Sequence, residues 1–207
     1  MLPIGDDNSA RRTIPFITYL LIAVNVYVFF LELNSSDAFM LHWAFIPHRF
    51  LANPSTQFVT IFTAMFMHAG WIHLGGNMLY LWIFGDNVED RLGHIKFLIF
   101  YLVCGTAATF TQMAFSMGSN VPNLGASGAI AGVLGSYVLM FPQEKVRVLI
   151  GIFLARIPAI FVIGLWIILQ FFNGYASIAN MSDTSGVAYM AHIGGFIAGL
   201  VLTILLK

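Results

Sequence analysis

Gly125-Ala126-Ser127-Gly128-Ala129-Ile130-Ala131-Gly132 is the stretch that decides how this chain is read: one hydroxyl set in a run of small, uncharged residues. Continued to residue 141, the run makes a helix rich in Gly and Ala, which belongs among other helices rather than against lipid. A second stretch matches it, Ala191-His192-Ile193-Gly194-Gly195-Phe196-Ile197-Ala198-Gly199, again apolar and glycine-rich. An ionisable residue inside an apolar span implies function, because its charged form is costly there. Gly128 with Gly132, and Gly195 with Gly199, are small residues four apart, the spacing that lets two helix backbones approach closely. Close approach of these two helices would bring the Ser127 hydroxyl and the His192 imidazole together as a nucleophile and its base.

The rest of the chain fits a bilayer. Of its residues 59% are hydrophobic and 9% charged, against about 25% charged in a soluble domain. Net charge is zero and the basic residues are scattered, which argues against nucleic acid as a partner. The single cysteine, Cys104, has no intrachain partner for a disulfide. Residues 1–13 read as a polar, cytoplasmic tail, and residues 14–207 as one membrane domain. The first apolar stretch is long and lacks a clear small-residue cleavage site, so it reads as a retained span rather than a signal peptide.

A span needs about 20 apolar residues. The expected fold is an all-α membrane protein, a bundle of six transmembrane helices with a short central fourth helix. The spans fall at about residues 14–33, 71–84, 95–115, 124–141, 157–172 and 186–206. Residues 34–58 mix aromatic and polar side chains, as in a segment lying in the interface plane. Residues 146–155 are apolar between Lys145, Arg147 and Arg156, and read as an interfacial piece. Residues 173–185 read as a polar loop. With six spans, Arg11, Arg12, Arg91, Lys96, Lys145, Arg147, Arg156 and Lys207 fall on the side of the termini, and Arg49 alone falls opposite. That bias places both termini in the cytoplasm of a multi-pass protein, expected in a bacterial inner (plasma) membrane.

In this topology Ser127, His192, His73 and Asn77 lie at similar depth near the outer end, with His73 and Asn77 on one helix face. The set suits acyl transfer. His192 would take the Ser127 proton and return it to the leaving amine, and Asn77, His73 and the Ser127 N–H are the donors available to an oxyanion. No carboxylate lies in the outer half of the second, fourth or sixth span, so a dyad is expected.

At these residues the chain resembles the rhomboid family of intramembrane serine proteases. The resemblance rests on His73-Leu74-Gly75-Gly76-Asn77, on Gly125-Ala126-Ser127-Gly128, and on Ala191-His192 with Gly195 and Gly199, in that order and on those spans. Residues 85–93, from Gly85-Asp86 to Leu92-Gly93, look like the family's turn after the second span, and Trp43 stands where the family has a tryptophan-arginine pair. The resemblance implies Ser127 as nucleophile, His192 as base, and His73 and Asn77 at the oxyanion. It also implies a water-filled cavity open to the outer side, and the fifth span with the loop after it as a gate. The partners it implies are transmembrane protein substrates and the lipid bilayer, with no cofactor and no metal. Two positions depart from the pattern. Ala44 follows Trp43, and Ala131 stands where some members hold an aromatic ring against the histidine, which leaves Tyr189 to support His192.

Two rivals belong to other classes. A catalytically inactive rhomboid-like protein would bind transmembrane helices without cutting them. A metal-dependent site on His68, His73 and His192 lacks the His-Glu-x-x-His helix and a nearby carboxylate.

Overall fold

The computed structural model describes residues 1–7, 9, 11–179 and 187–206. It is mostly helical: α1 (Phe16–Leu33), α2 (Asp37–Trp43), α3 (Pro47–Ala52), α4 (Pro54–Gln57), α5 (Thr60–Thr63), α6 (Trp71–Leu92), α7 (His94–Phe115), α8 (Ser127–Met140), α9 (Ala159–Ala179) and α10 (Tyr189–Leu206). By length and composition α1, α7, α9 and α10 can each cross a bilayer. A fifth crossing is available if residues Pro54–Phe66 and α6, bent by 79° at their junction, count as one. The apolar helix α8 has only 14 residues. At 1.5 Å per residue it covers about 21 Å of a hydrocarbon core about 30 Å thick. It lies at the centre of the bundle, packed between α7 and α10, and its first residue is Ser127.

The fold is not wholly α. Strands β1 (Leu2–Gly5), β2 (Lys145–Ile150) and β3 (Phe153–Pro158) form an antiparallel sheet in the order β1-β2-β3. Residues 146–155, expected as an interfacial piece, are a β-hairpin. Val146 and Val148 alternate inward between exposed Lys145 and Arg147, the period of a strand. Gly151, at φ +60°, makes the tight turn that favours glycine at its first central position. The segment before residue 14 also differs from a polar tail. β1 pairs with β2, Arg11 forms an ion pair with Asp86 at 2.7 Å, and Asp90 accepts from the Thr13 N–H and hydroxyl, each at 2.7 Å. Asp6 accepts from the Tyr137 hydroxyl at 2.8 Å and from Asn87 Nδ2 at 2.5 Å, and desolvation still lifts its carboxyl to about 6.

Helix α6 runs past the expected end at residue 84 to Leu92, so the stretch read as a turn is helical until Gly93, where φ is +80°. The reason is Glu89. Fully buried, its carboxylate accepts from the Ile17 N–H at 2.8 Å and from the Thr18 N–H and hydroxyl at 2.7 Å each. These are orphan donors of the first turn of α1, whose own N-cap, Pro15, offers no side-chain acceptor.

At the opposite end the long connection after α1 folds into α2, α3 and α4. Arg49 holds it, donating to the Leu41 carbonyl at 2.5 Å and to Gln57 Oε1 at 3.0 Å. Arg49 thus braces the loop in which Ala44, itself fully buried, follows Trp43. Phe45 and Asn123 exchange backbone hydrogen bonds, which ties the loop to the approach of α8. The segment expected as a loop at 173–185 is helical to Ala179, and residues 180–186 lie outside the described ones.

Glu89→Ala is expected to cost about 3 kcal/mol, because it strands two buried N–H groups and a hydroxyl at the start of α1. Thermal unfolding in detergent would register the loss, and Glu89→Gln, which keeps an acceptor, should lose less.

Candidate active site

Three glycines on α8 and two on α10 set the geometry. A Cβ on Gly195 would run into the Gly128 carbonyl, one on Gly199 into the Gly132 carbonyl, and one on Gly135 into the Phe196 carbonyl. On its other side α8 meets α7, where Gly128 faces Ala108 and Gly132 faces Cys104. The central helix is therefore clamped between two neighbours at backbone distance. Gly125 prepares its start: φ is +124°, its N–H donates to the Ala64 carbonyl at 2.8 Å, and a Cβ there would lie 2.8 Å from the His73 ring. Only glycine meets both conditions.

The clamp brings Ser127 Oγ to 2.8 Å from His192 Nε2. The other ring nitrogen, Nδ1, lies 2.8 Å from Gln170 Oε1 on α9. The Gln170 amide nitrogen is committed to the Trp166 carbonyl at 3.4 Å, so its oxygen is left to accept. An accepting oxygen requires the proton on Nδ1, which leaves the Nε2 lone pair for the serine hydroxyl. The Trp166 ring lies against the imidazole, with centroids 5.7 Å apart and planes at 39°. His192 is buried, with 9% of its surface exposed.

His73 and Asn77 sit one turn apart on α6. The His73 ring stands beside Gly125, next to Ser127; its Nδ1 accepts from the Ala69 N–H at 3.4 Å and its ring packs edge-on against His68. Asn77 is buried, and its Nδ2 has no protein partner among the described residues. A cavity opens beside the serine, lined by Ala64, Thr109, Gln112, Ser127, Gly128 and Ala188. Gln112 Oε1 accepts from the Ala191 N–H at 3.2 Å and so steadies the residue before His192.

The rhomboid domain model matches residues 55–207. The chain belongs to the rhomboid family. It is 31% identical over 191 residues to "Rhomboid protease GluP" of Bacillus subtilis, covering 89% of this chain and 34% of that protein. It is 27% identical over 190 residues to "Rhomboid protein 1, mitochondrial" of Saccharomyces cerevisiae, covering 89% and 51%. It is 31% identical over 141 residues to "Rhomboid protease GlpG" of Salmonella paratyphi A, covering 68% and 46%. The chain spans about a third to a half of the length of these relatives.

Within this rhomboid site two side chains were not anticipated. Trp166 and Gln170, not Tyr189, flank the imidazole where Ala131 leaves no ring. The signal was available: Gln170 is the one strongly hydrogen-bonding side chain in the apolar run 157–172, the same anomaly that singles out His192. The remaining histidines stand apart from this pair. His68 is buried, its N–H donating to Glu32 Oε2 at 3.1 Å; His42 and His48 lie on α2 and α3; His94 Nδ1 is paired with Glu89 at the far end.

Two substitutions test the arrangement. Gly199→Val should separate α8 from α10 and lower stability by about 2 kcal/mol or more; melting measured with hydroxyl reactivity at Ser127 would show both falling. Gln170→Leu should preserve the fold but free the imidazole to rotate and change tautomer. Ser127 should then react more slowly with a fluorophosphonate, with the melting temperature nearly unchanged.

Proposed function

We propose that this rhomboid protein is an intramembrane serine endopeptidase that cuts transmembrane segments of other membrane proteins with a Ser127–His192 dyad. The observation that carries the reading is the 2.8 Å contact between Ser127 Oγ and His192 Nε2, with Nδ1 already engaged by Gln170. His192 accepts the hydroxyl proton as Oγ attacks the scissile carbonyl carbon. The oxyanion faces the first-turn N–H groups of α8, the His73 ring and the unengaged Asn77 amide. One such donor is typically worth about 3 kcal/mol. Imidazolium then returns its proton to the departing amine, and water entering beside Ser127 hydrolyses the acyl-enzyme by the same base. The small side chains lining the cavity favour a small residue at the cut. A substrate helix must unwind before its carbonyl is exposed, so helix-breaking residues should lie near the cleavage point.

The accompanying topology has six crossings, α1, α6, α7, α8, α9 and α10, with both termini on the cytoplasmic side of a bacterial plasma membrane. The clustering of basic residues on the end that carries β1 and the hairpin supports that orientation. α9, which carries Gln170, would move to admit a substrate.

Purified protein in liposomes with single-span substrates tests the reading. Wild type should cleave them, and Ser127→Ala should bind them without cleaving. Fluorophosphonate labelling of Ser127 should vanish in His192→Ala and fall on acidification as the imidazole protonates. Substrate capture without any cleavage by wild type would instead support an inactive helix-binding protein.

A further inference from the structure

The β2–β3 hairpin carries a feature that neither the site nor the packing uses. Its stem follows the rule for a half-covered sheet: Val146 and Val148 are fully buried in the core, and Ala155 and Ile157 pack against it. Its tip does not. Ile150, Ile152, Phe153 and Leu154 are 45%, 87%, 72% and 72% exposed, so apolar side chains stand free on both faces of the turn. The base of the hairpin, at Pro158, leads directly into α9, whose first turn exposes Ile160 and Phe161, an apolar helix surface of a membrane protein. On the outward face of the stem, Arg147 and Arg156 are paired directly across the strands, and both are exposed. Like charges in that position disfavour the hairpin unless an anion sits over them. The exposed Asp7 is an acidic neighbour of both but is bridged to neither among the described residues. Neither guanidinium forms a salt bridge among the described residues.

We propose that this hairpin is a lipid-docking device. Its apolar tip inserts into the bilayer interface at the end of the bundle that carries β1, and Arg147 and Arg156 together bind the phosphates of anionic lipid headgroups. An apolar wedge above a basic stem is the arrangement that holds a segment at a charged membrane surface. The partner is the lipid surface rather than a second protein, because one hairpin carries an exposed apolar tip and, behind it, a pair of exposed guanidiniums whose charge complements anionic headgroups, and because its base leads into a helix apolar enough to cross a bilayer. The role is independent of the Ser127–His192 chemistry, and its test does not use cleavage.

A nitroxide attached to Ile152→Cys, in liposomes with and without anionic phosphatidylglycerol, reads the tip's surroundings. The native Cys104 is buried and is replaced by alanine for the measurement. Collisional relaxation by oxygen should exceed that by a water-soluble nickel chelate several-fold, and the excess should grow with the anionic fraction. Arg147→Gln with Arg156→Gln should abolish that growth while leaving the melting temperature in place. A label at Leu154→Cys supplies the same reading should the first position disturb the turn. Nickel accessibility equal to that of a label at Asn34, in the loop after α1, would overturn the proposal. Spin–spin broadening that marks contact between two copies at the tip would overturn it as well.

Discussion

At Gly195 and Gly199 the backbone of α10 rests on the Gly128 and Gly132 carbonyls of α8, with no Cβ between them. Lipid tails are as apolar as the helices, so no hydrophobic force pulls these two together; shape and close van der Waals contact do. The Ser127–His192 distance follows from that contact, since Ser127 directly precedes Gly128 and His192 lies about one turn before Gly195. Loss of one glycine would therefore disturb the hydrogen bond and the packing through the same displacement.

The two ends of the bundle are anchored differently. At one, charged residues are taken out of water and put to structural use: Glu89 caps α1, Asp86 holds Arg11, and Asp6 joins Tyr137 to Asn87. At the other, short helices and backbone exchanges such as Phe45 with Asn123 fix the loop above α8. The strongly polar network is thus kept away from the serine. The pocket beside Ser127 is lined by small side chains, the apolar Met65 and Leu124, and neutral hydrogen-bonding groups such as Gln112 and Asn123.

Much of this was legible because a bilayer makes polar residues expensive. Ser127, His192, His73 and Asn77 stand out against apolar surroundings, and the glycine spacing tells which helices touch. What stayed hidden has physical reasons. The alternation at Lys145-Val146-Arg147-Val148 is too short to reveal a strand, and β1 includes a proline and a glycine. Asp86 and Glu89 made the end of α6 look like a loop, because hydropathy cannot reveal that their partners are Arg11 and the exposed N–H groups of another helix. Gln170 is hidden because a third member is expected to be a carboxylate, whereas an amide suffices to orient the ring.

That the third group is an amide has a consequence of its own. A carboxylate behind His192 would carry a standing charge into a region of low dielectric, and the desolvation of such an ion costs several kcal/mol before any chemistry begins. Gln170 fixes the tautomer with a dipole instead. Between turnovers the serine, histidine and glutamine hold no formal charge as long as the imidazole is neutral, and separated charge arises only while a proton is in transit. A histidine oriented in this way needs no permanent ion beside it to be kept wet.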